Sequence, residues 1–203
     1  GDEKDQDGNT YKTVKIGNQE WIAENLNTSK FRNGDPFPEA KDRREWKRAY
    51  NERKPIWCYY GFDSSNGEKY GKLYNWYAVN DPRGLAPDGW HVPSDAEWTQ
   101  LTDYLGGEEV AGTKMKNTSG WYENRNGTNE SQFSGLPGGA IADDGFLGSI
   151  GYLGVWWSST EDSTYLYDSS AWAHFRYLYH SNGKVIRTSH SKGDGFSIRC
   201  IRD

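Results

Sequence analysis

Large rings rather than aliphatic side chains carry the hydrophobic content of this 203-residue chain, which has 10 Trp, 14 Tyr and 7 Phe beside a single Met. A helical bundle fills its core with Leu, Ala and Met, so this balance argues against one. Each buried ring removes roughly 150–250 Å² from water, and a few rings at intervals fix a core. The 24 Gly supply looped backbone between them. Only 34% of the chain is hydrophobic, yet the rings are spread from position 11 to 196, and disordered chains are depleted in them. One domain of this size buries roughly 70% of the surface its unfolded form exposes, with no need of metal or disulfide staples.

The net charge of −5 gives no general attraction to nucleic acid or to an anionic membrane. The one basic run, 41–54, contains Asp42, Glu45 and Glu52 and reads as a solvated helix face rather than a nucleic-acid contact. No apolar stretch approaches the roughly 20 residues of a membrane span, so no direct membrane insertion is expected. Residues 1–6 are polar and lack a signal-peptide pattern. They read as a disordered or cloning-derived start before a single domain over 7–203, and either a removed leader or an intracellular location fits that start. Cys58 and Cys200 form one disulfide or are two small buried hydrophobes. Their spacing makes neither a zinc site nor a redox pair.

Local signals outline an α+β domain with two main helices, short antiparallel strands and long loops. Tyr11, Val14 and Ile16 lead through Gly17-Asn18 to Trp21 and Ile22, a tight hairpin. Pro36, Pro38 and Pro55 bracket a helix over 39–51, with Trp46, Ala49 and Tyr50 on one stripe. Ser94 and Glu97 make a capping box at the start of a helix over 94–105, which Gly106-Gly107 ends. A shorter helical piece follows over 108–116. A second hairpin joins 175–179 to 185–188. In the last strand Phe196, Ile198 and Cys200 alternate with Ser197 and Arg199, the pattern of one buried face.

Longer segments carry a resemblance. They include D-G-N-T-Y-K-T-V-K-I-G-N-Q-E-W-I-A-E-N-L (7–26), Y-G-K-L-Y-N-W-Y-A-V (70–79), A-P-D-G-W-H-V-P-S-D-A-E-W (86–98), A-G-T-K-M-K (111–116), F-S-G-L-P-G-G (133–139), W-W-S-S-T (156–160) and G-F-S-I-R-C-I-R-D (195–203). In this order they resemble the family named for the major paralogous domain of Fibrobacter succinogenes, common in exported proteins of Bacteroidetes. That family is similar in turn to the formylglycine-generating-enzyme group. The resemblance implies a C-type-lectin-like fold and a secreted or cell-surface protein, an outer-membrane lipoprotein with its leader removed. It implies no enzymatic activity.

Catalytic patterns are poor. No H-E-x-x-H, Walker loop or G-x-S-x-G is present, and Cys200 has no nearby second cysteine to make the reactive pair of formylglycine-generating enzymes. The sugar-binding calcium motifs of C-type lectins are absent. Asp63, Asn66 and Glu68 offer oxygen donors without EF-hand spacing, so a solvated turn is expected there and no cofactor is assigned. The segment 161–194 is the most informative, because 17 of its 34 residues are Ser, Tyr, His, Asp or Asn. Antibody paratopes use the same mixture of broad rings and adaptable polar groups. The candidate ligand-binding residues are Tyr165, Tyr167, Asp168, Trp172, His174, Arg176, Tyr179, His180 and His190. The three histidines fit no standard metal spacing. This composition is also what diversity-generating retroelements produce from adenine-rich codons, with W-W-S-S-T and G-F-S-I-R-C as fixed framework. The expected function is therefore non-catalytic binding of an extracellular glycan or surface protein. The alternatives are a structural or tip subunit of a surface appendage, and a polysaccharide-acting hydrolase.

Overall fold

A computed structural model describes residues 2–165, 167–168 and 170–203. In chain order it forms β1 (Asp2–Lys4), β2 (Thr10–Ile16), β3 (Gln19–Ile22), α1 (Arg43–Glu52), β4 (Trp57–Cys58), α2 (Gly67–Tyr70) and β5 (Leu73–Tyr74). Next come α3 (Trp76–Val79), β6 (Trp90–His91), α4 (Asp95–Tyr104), α5 (Glu108–Met115), β7 (Ala140–Ile141) and β8 (Leu147–Gly148). The long strands β9 (Leu153–Glu161), β10 (Trp172–Tyr179) and β11 (Ile186–Ser191) follow, and β12 (Ile201–Arg202) closes the chain. These named strands pair antiparallel throughout, in a five-stranded sheet ordered β1-β2-β3-β12-β6, a three-stranded sheet ordered β11-β10-β9, and two ribbons. The expected α+β class of few helices and mostly antiparallel strands is what the chain forms.

Local chemistry places these elements. Ile16 faces Gln19 across the two-residue Gly17-Asn18 turn, and Gly17 takes the positive φ of 62° that the turn demands. At α4 the Ser94 side chain accepts from the Glu97 N–H while Glu97 accepts from the Ser94 N–H, so the capping box is complete. Helix α1 starts later than the proline-based expectation, at Arg43, because the Asp42 carboxylate caps the Glu45 N–H.

The core is built on tryptophan. All but Trp172 of the ten are buried, and most donate their indole N–H to a carbonyl of another segment. Trp46 reaches Gly193, Trp76 reaches Ser158, Trp98 reaches Trp157 and Trp121 reaches Gly135. Each ring thus supplies apolar area and also ties down a loop whose backbone would otherwise be unsatisfied.

Two expectations need correction. Residues 1–6 are not wholly outside the fold, because Asp2–Lys4 pairs with the start of β2. Asp5 extends this with a carboxylate that accepts from Tyr11 Oη at 2.6 Å. The segment before β12 does not have one open face: Ser197 and Arg199 are as buried as Phe196, Ile198 and Cys200. It threads between the Tyr74 and Trp156 backbones. Arg199 lies over the Phe133 ring and donates to Asn25 Oδ1 and to the carbonyls of Phe133 and Ser134. Of the two readings open for the cysteines, the structure has the second: Cys58 and Cys200 are separate buried thiols, and burial pushes both thiol pKa values up.

Candidate ligand-binding face

The sheet β11-β10-β9 distributes the nine candidates into three places. At the start of β10, Trp172 stacks on Tyr165 with ring centroids 4.1 Å apart and 10° between planes. Tyr167 continues the row 6.0 Å from Tyr165, and His190 flanks Trp172 at 5.0 Å. Tyr167 is 92% exposed, and Trp172 is the one tryptophan outside the buried core. Asp168 is exposed beside them, where its carboxylate accepts from the Ser170 hydroxyl and N–H, which lower its pKa.

Buried charges mount this row. Lys192 is 4% exposed. It donates to Glu161 Oε1 at 2.8 Å and to the Ser170 carbonyl, with its ammonium 4.7 Å from the Trp76 ring centroid. Its backbone N–H binds the Ala171 carbonyl, so a single residue holds both strands of the 161–171 loop. Under His190, the buried Asp194 pairs with His190 Nδ1 and accepts the Asp143 N–H. The Asp194 hydrogen bond raises the His190 pKa, and burial raises that of Asp194.

Tyr179 and His180 lie at the far end of β10. Seven residue steps of about 3.3 Å separate Tyr179 from Trp172, roughly 23 Å. There His180 meets Tyr122 and Tyr152 edge-on, and those two rings stack at 4.3 Å. The nine candidates therefore do not make one continuous face.

His174 and Arg176 belong to neither end, and their expected binding role is corrected. As the middle strand, β10 is covered on both faces: Ala173 and Phe175 join one core cluster and Leu178 another. Arg176, 1% exposed, donates to Asp95 Oδ1 at 2.7 Å, to the Asp95 carbonyl and to Thr99 Oγ1, bolting the sheet to α4. Burial alone would raise the Asp95 carboxyl, but Arg187 and Arg176 outweigh it and hold its pKa down at about 2. His174 is mostly enclosed, with Nε2 3.9 Å from Asp162 Oδ1. Asp162 is itself held at about 2 by the Ser189 and Thr164 hydroxyls and the Thr164 N–H.

Among the described residues no three His, Cys, Asp or Glu side chains converge as a metal ion requires. The Asp63 carboxylate is occupied in capping the Ser65 N–H. Two recesses of about 620 and 570 Å³ lie elsewhere, one beside Glu97 and Arg202 and one beside Asn25 and Arg199. A smaller one of about 270 Å³ adjoins His190 and Asp194.

A family model described as the Fibrobacter succinogenes major domain matches residues 14–202. The chain belongs to that family. No curated protein and no solved structure matches it. In this member of the Fibrobacter succinogenes major domain family the matched span takes in both ends of β10, the lysine mount and α4, and leaves β1 outside. The family description names no activity, so the chemistry of the face rests on its geometry. Sequence reasoning found the exposed rings but missed Lys192 and Asp194 beneath them, and missed Tyr122 and Tyr152 at the far end. Lys192 and Asp194 sit among polar residues in the chain, and nothing local marks them as buried. Tyr122 and Tyr152 reach His180 from two separate loops.

Proposed function

We propose that the chain is a non-catalytic, extracellular ligand-binding module of a bacterial surface protein. In this reading it has a C-type-lectin-like fold and is secreted or held on the outer membrane through an upstream lipid anchor. Its ligand is a glycan, taken by the row Tyr167, Tyr165, Trp172 and His190. The observation that carries this reading is the half-buried Tyr165–Trp172 stack, leading out to the exposed Tyr167, on a mount of the buried charges Lys192 and Asp194. A preformed row of rings loses little conformational freedom on binding, and its faces match the apolar faces of pyranose rings. Asp168 and Glu161 at its rim favour a neutral saccharide over an anionic one.

The appendage-subunit reading is favoured by an exposed final strand available for pairing; β12 is instead enclosed between β3 and β6, and the edges of that sheet are β1 and β6. The hydrolase reading called for two displaced carboxyls in one deep cleft. The strongly lowered ones, Asp95 and Asp162, are engaged by arginines and hydroxyls.

The test is titration with neutral β-linked gluco-oligosaccharides, followed by tryptophan fluorescence. Tyr167→Ala is expected to weaken binding at least tenfold without altering the melting temperature. Trp172→Ala abolishes binding and also costs about 1 kcal/mol of stability through the lost stack. Capture of a surface protein by the same residues, with every neutral saccharide silent, would replace the glycan by a protein ligand. Wild-type affinity in both variants overturns the site.

A further inference from the structure

The far end of β10 has a chemistry of its own. Lys116 is 3% exposed there. It donates to the carbonyls of Tyr179 at 2.5 Å and Asn182 at 2.6 Å, and its ammonium lies 4.9 Å from the Trp121 ring centroid. An ammonium has three donors, and these carbonyls take two of them. Among the described residues no carboxylate pairs with Lys116, and its burial is otherwise uncompensated. Beside it a hollow of about 200 Å³ is lined by Lys116, Arg125, His180 and Asn126, with no acidic residue in its wall. Among the described residues the buried His180 Nδ1 has no hydrogen-bond partner. Around the rim stand the Tyr122–Tyr152 stack and the half-exposed Tyr179, whose ring is 4.5 Å from that of His180.

A buried cation with a spare donor and a second cation, beside an imidazole that donates once Nδ1 carries its N–H, together want an anion with several acceptor oxygens. Rings next to such a charge want the apolar face of a sugar. We infer that this hollow is a second binding site, separate from the Trp172 row, for a saccharide bearing a carboxylate or sulfate group. The acidic group enters between Lys116 and Arg125, and the sugar ring lies against Tyr122 and Tyr179. Glu123, which pairs with Arg125 at 3.2 Å, is displaced when the acidic group takes its place. The inference stands independently of the neutral-glycan reading, because it uses different residues and the opposite charge.

The experiment titrates the intact chain with three hexasaccharides, a galacturonic acid hexamer, a sulfated hexamer and a neutral glucose hexamer, and follows the indole N–H of Trp121 by NMR. An acidic hexamer is expected to shift Trp121, and comparison of the two acidic arms tells carboxylate from sulfate. Saturating neutral hexamer should not displace it. Arg125→Ala and Tyr122→Ala, both on the exposed surface, should each weaken acidic-hexamer binding at least tenfold, and Lys116→Met should abolish it. Tyr104→Ala, an exposed ring on α4, should change nothing. If Lys116→Met fails to fold, the two surface variants decide the matter. Equal affinity for neutral and acidic hexamers, displacement of one by the other, or no Trp121 response to either acidic probe at millimolar concentration overturns the inference. Such a failure leaves the Trp172 row untouched, since that site is read with the neutral saccharide and Tyr167→Ala.

Discussion

The two ends of β10 are built alike and charged differently. Each presents a stacked aromatic pair, Tyr165–Trp172 at one end and Tyr122–Tyr152 at the other. Each also has a buried lysine that donates to loop carbonyls and lies over a tryptophan, Lys192 over Trp76 and Lys116 over Trp121. Only Lys192 also binds a carboxylate, that of Glu161. A lysine stem is a good spoke for a loop because its long apolar chain packs while its head ties off several carbonyls. A head neutralised from within is finished structure, whereas one left uncompensated is open to an external anion. The difference between the ends is therefore one carboxylate.

The largest expected effect removes what both ends share. Asp95 neutralises Arg176 in the middle of the sheet and pairs with Arg187 on β11. Asp95→Ala leaves Arg176 a buried cation without its partner and should cost about 3–5 kcal/mol. Both aromatic ends then lose their common support. Because the Asp95 carboxyl is held below its ordinary value, its stabilisation is full above about pH 4. It is lost as pH falls through the folded-state value of about 2. Urea unfolding at neutral pH checks the substitution, and a loss below about 1 kcal/mol would mean that Arg176 finds water or another acceptor.

A middle-sized effect compares the two mounts directly. Lys192→Met removes two charged hydrogen bonds and frees the 161–171 loop, which should cost about 2–3 kcal/mol. Lys116→Met also removes two, but it relieves an uncompensated buried charge, and the carbonyls it abandons belong to the exposed residues Tyr179 and Asn182. Its cost should be about 1 kcal/mol. Equal losses, or the reverse order, would show that Glu161 contributes nothing to the mount and that the two ends do not differ in the way described.

What could be read from the chain and what could not divides along the range of the interactions. The Ser94–Glu97 box, the Gly17-Asn18 turn and the stripe of Trp46 and Ala49 are local, and they were legible because three or four neighbouring residues decide them. The open row at Tyr165, Tyr167 and Trp172 was legible in composition, but its limits were not. An eight-residue strand in the middle of a sheet carries its central residues inside and its ends outside. Arg176 and His174 therefore share the composition of the face without belonging to it. Alternation misled at 196–200 for a related reason: it assumes solvent on one side, and Ser197 and Arg199 instead meet Trp156 and Asn25 from distant segments. The counter-charges that decide the site, Glu161 for Lys192 and Asp194 for His190, are matters of packing that no local pattern announces.

The smallest effect is the most discriminating, because it has opposite signs at the two ends. The hydrogen bond to Asp194 raises the His190 pKa, with the Asp194 and Asp143 charges adding to it against the opposing effect of burial. Its contribution to stability is thus full below about pH 6.5, the ordinary histidine value, and is lost as pH rises through the raised folded-state value. Burial lowers the Lys116 pKa to about 8. Between there and the ordinary lysine value of about 10.4 the unfolded chain binds more protons than the folded one, so stability rises with pH. Raising the pH from 6 to 9 should therefore loosen the Trp172 end and begin to firm the Lys116 end, with little net change in melting temperature. NMR titration separates the two, with a His190 ring midpoint above about 6.5 that Asp194→Asn brings down, and a Lys116 midpoint near 8. An acidic saccharide bound in the hollow must move the Lys116 midpoint upward, since it favours the charged form, while the His190 midpoint stays where it was. A Lys116 midpoint already at the free-lysine value would mean that water or a counter-ion reaches the ammonium, and the charge asymmetry between the ends would vanish with it.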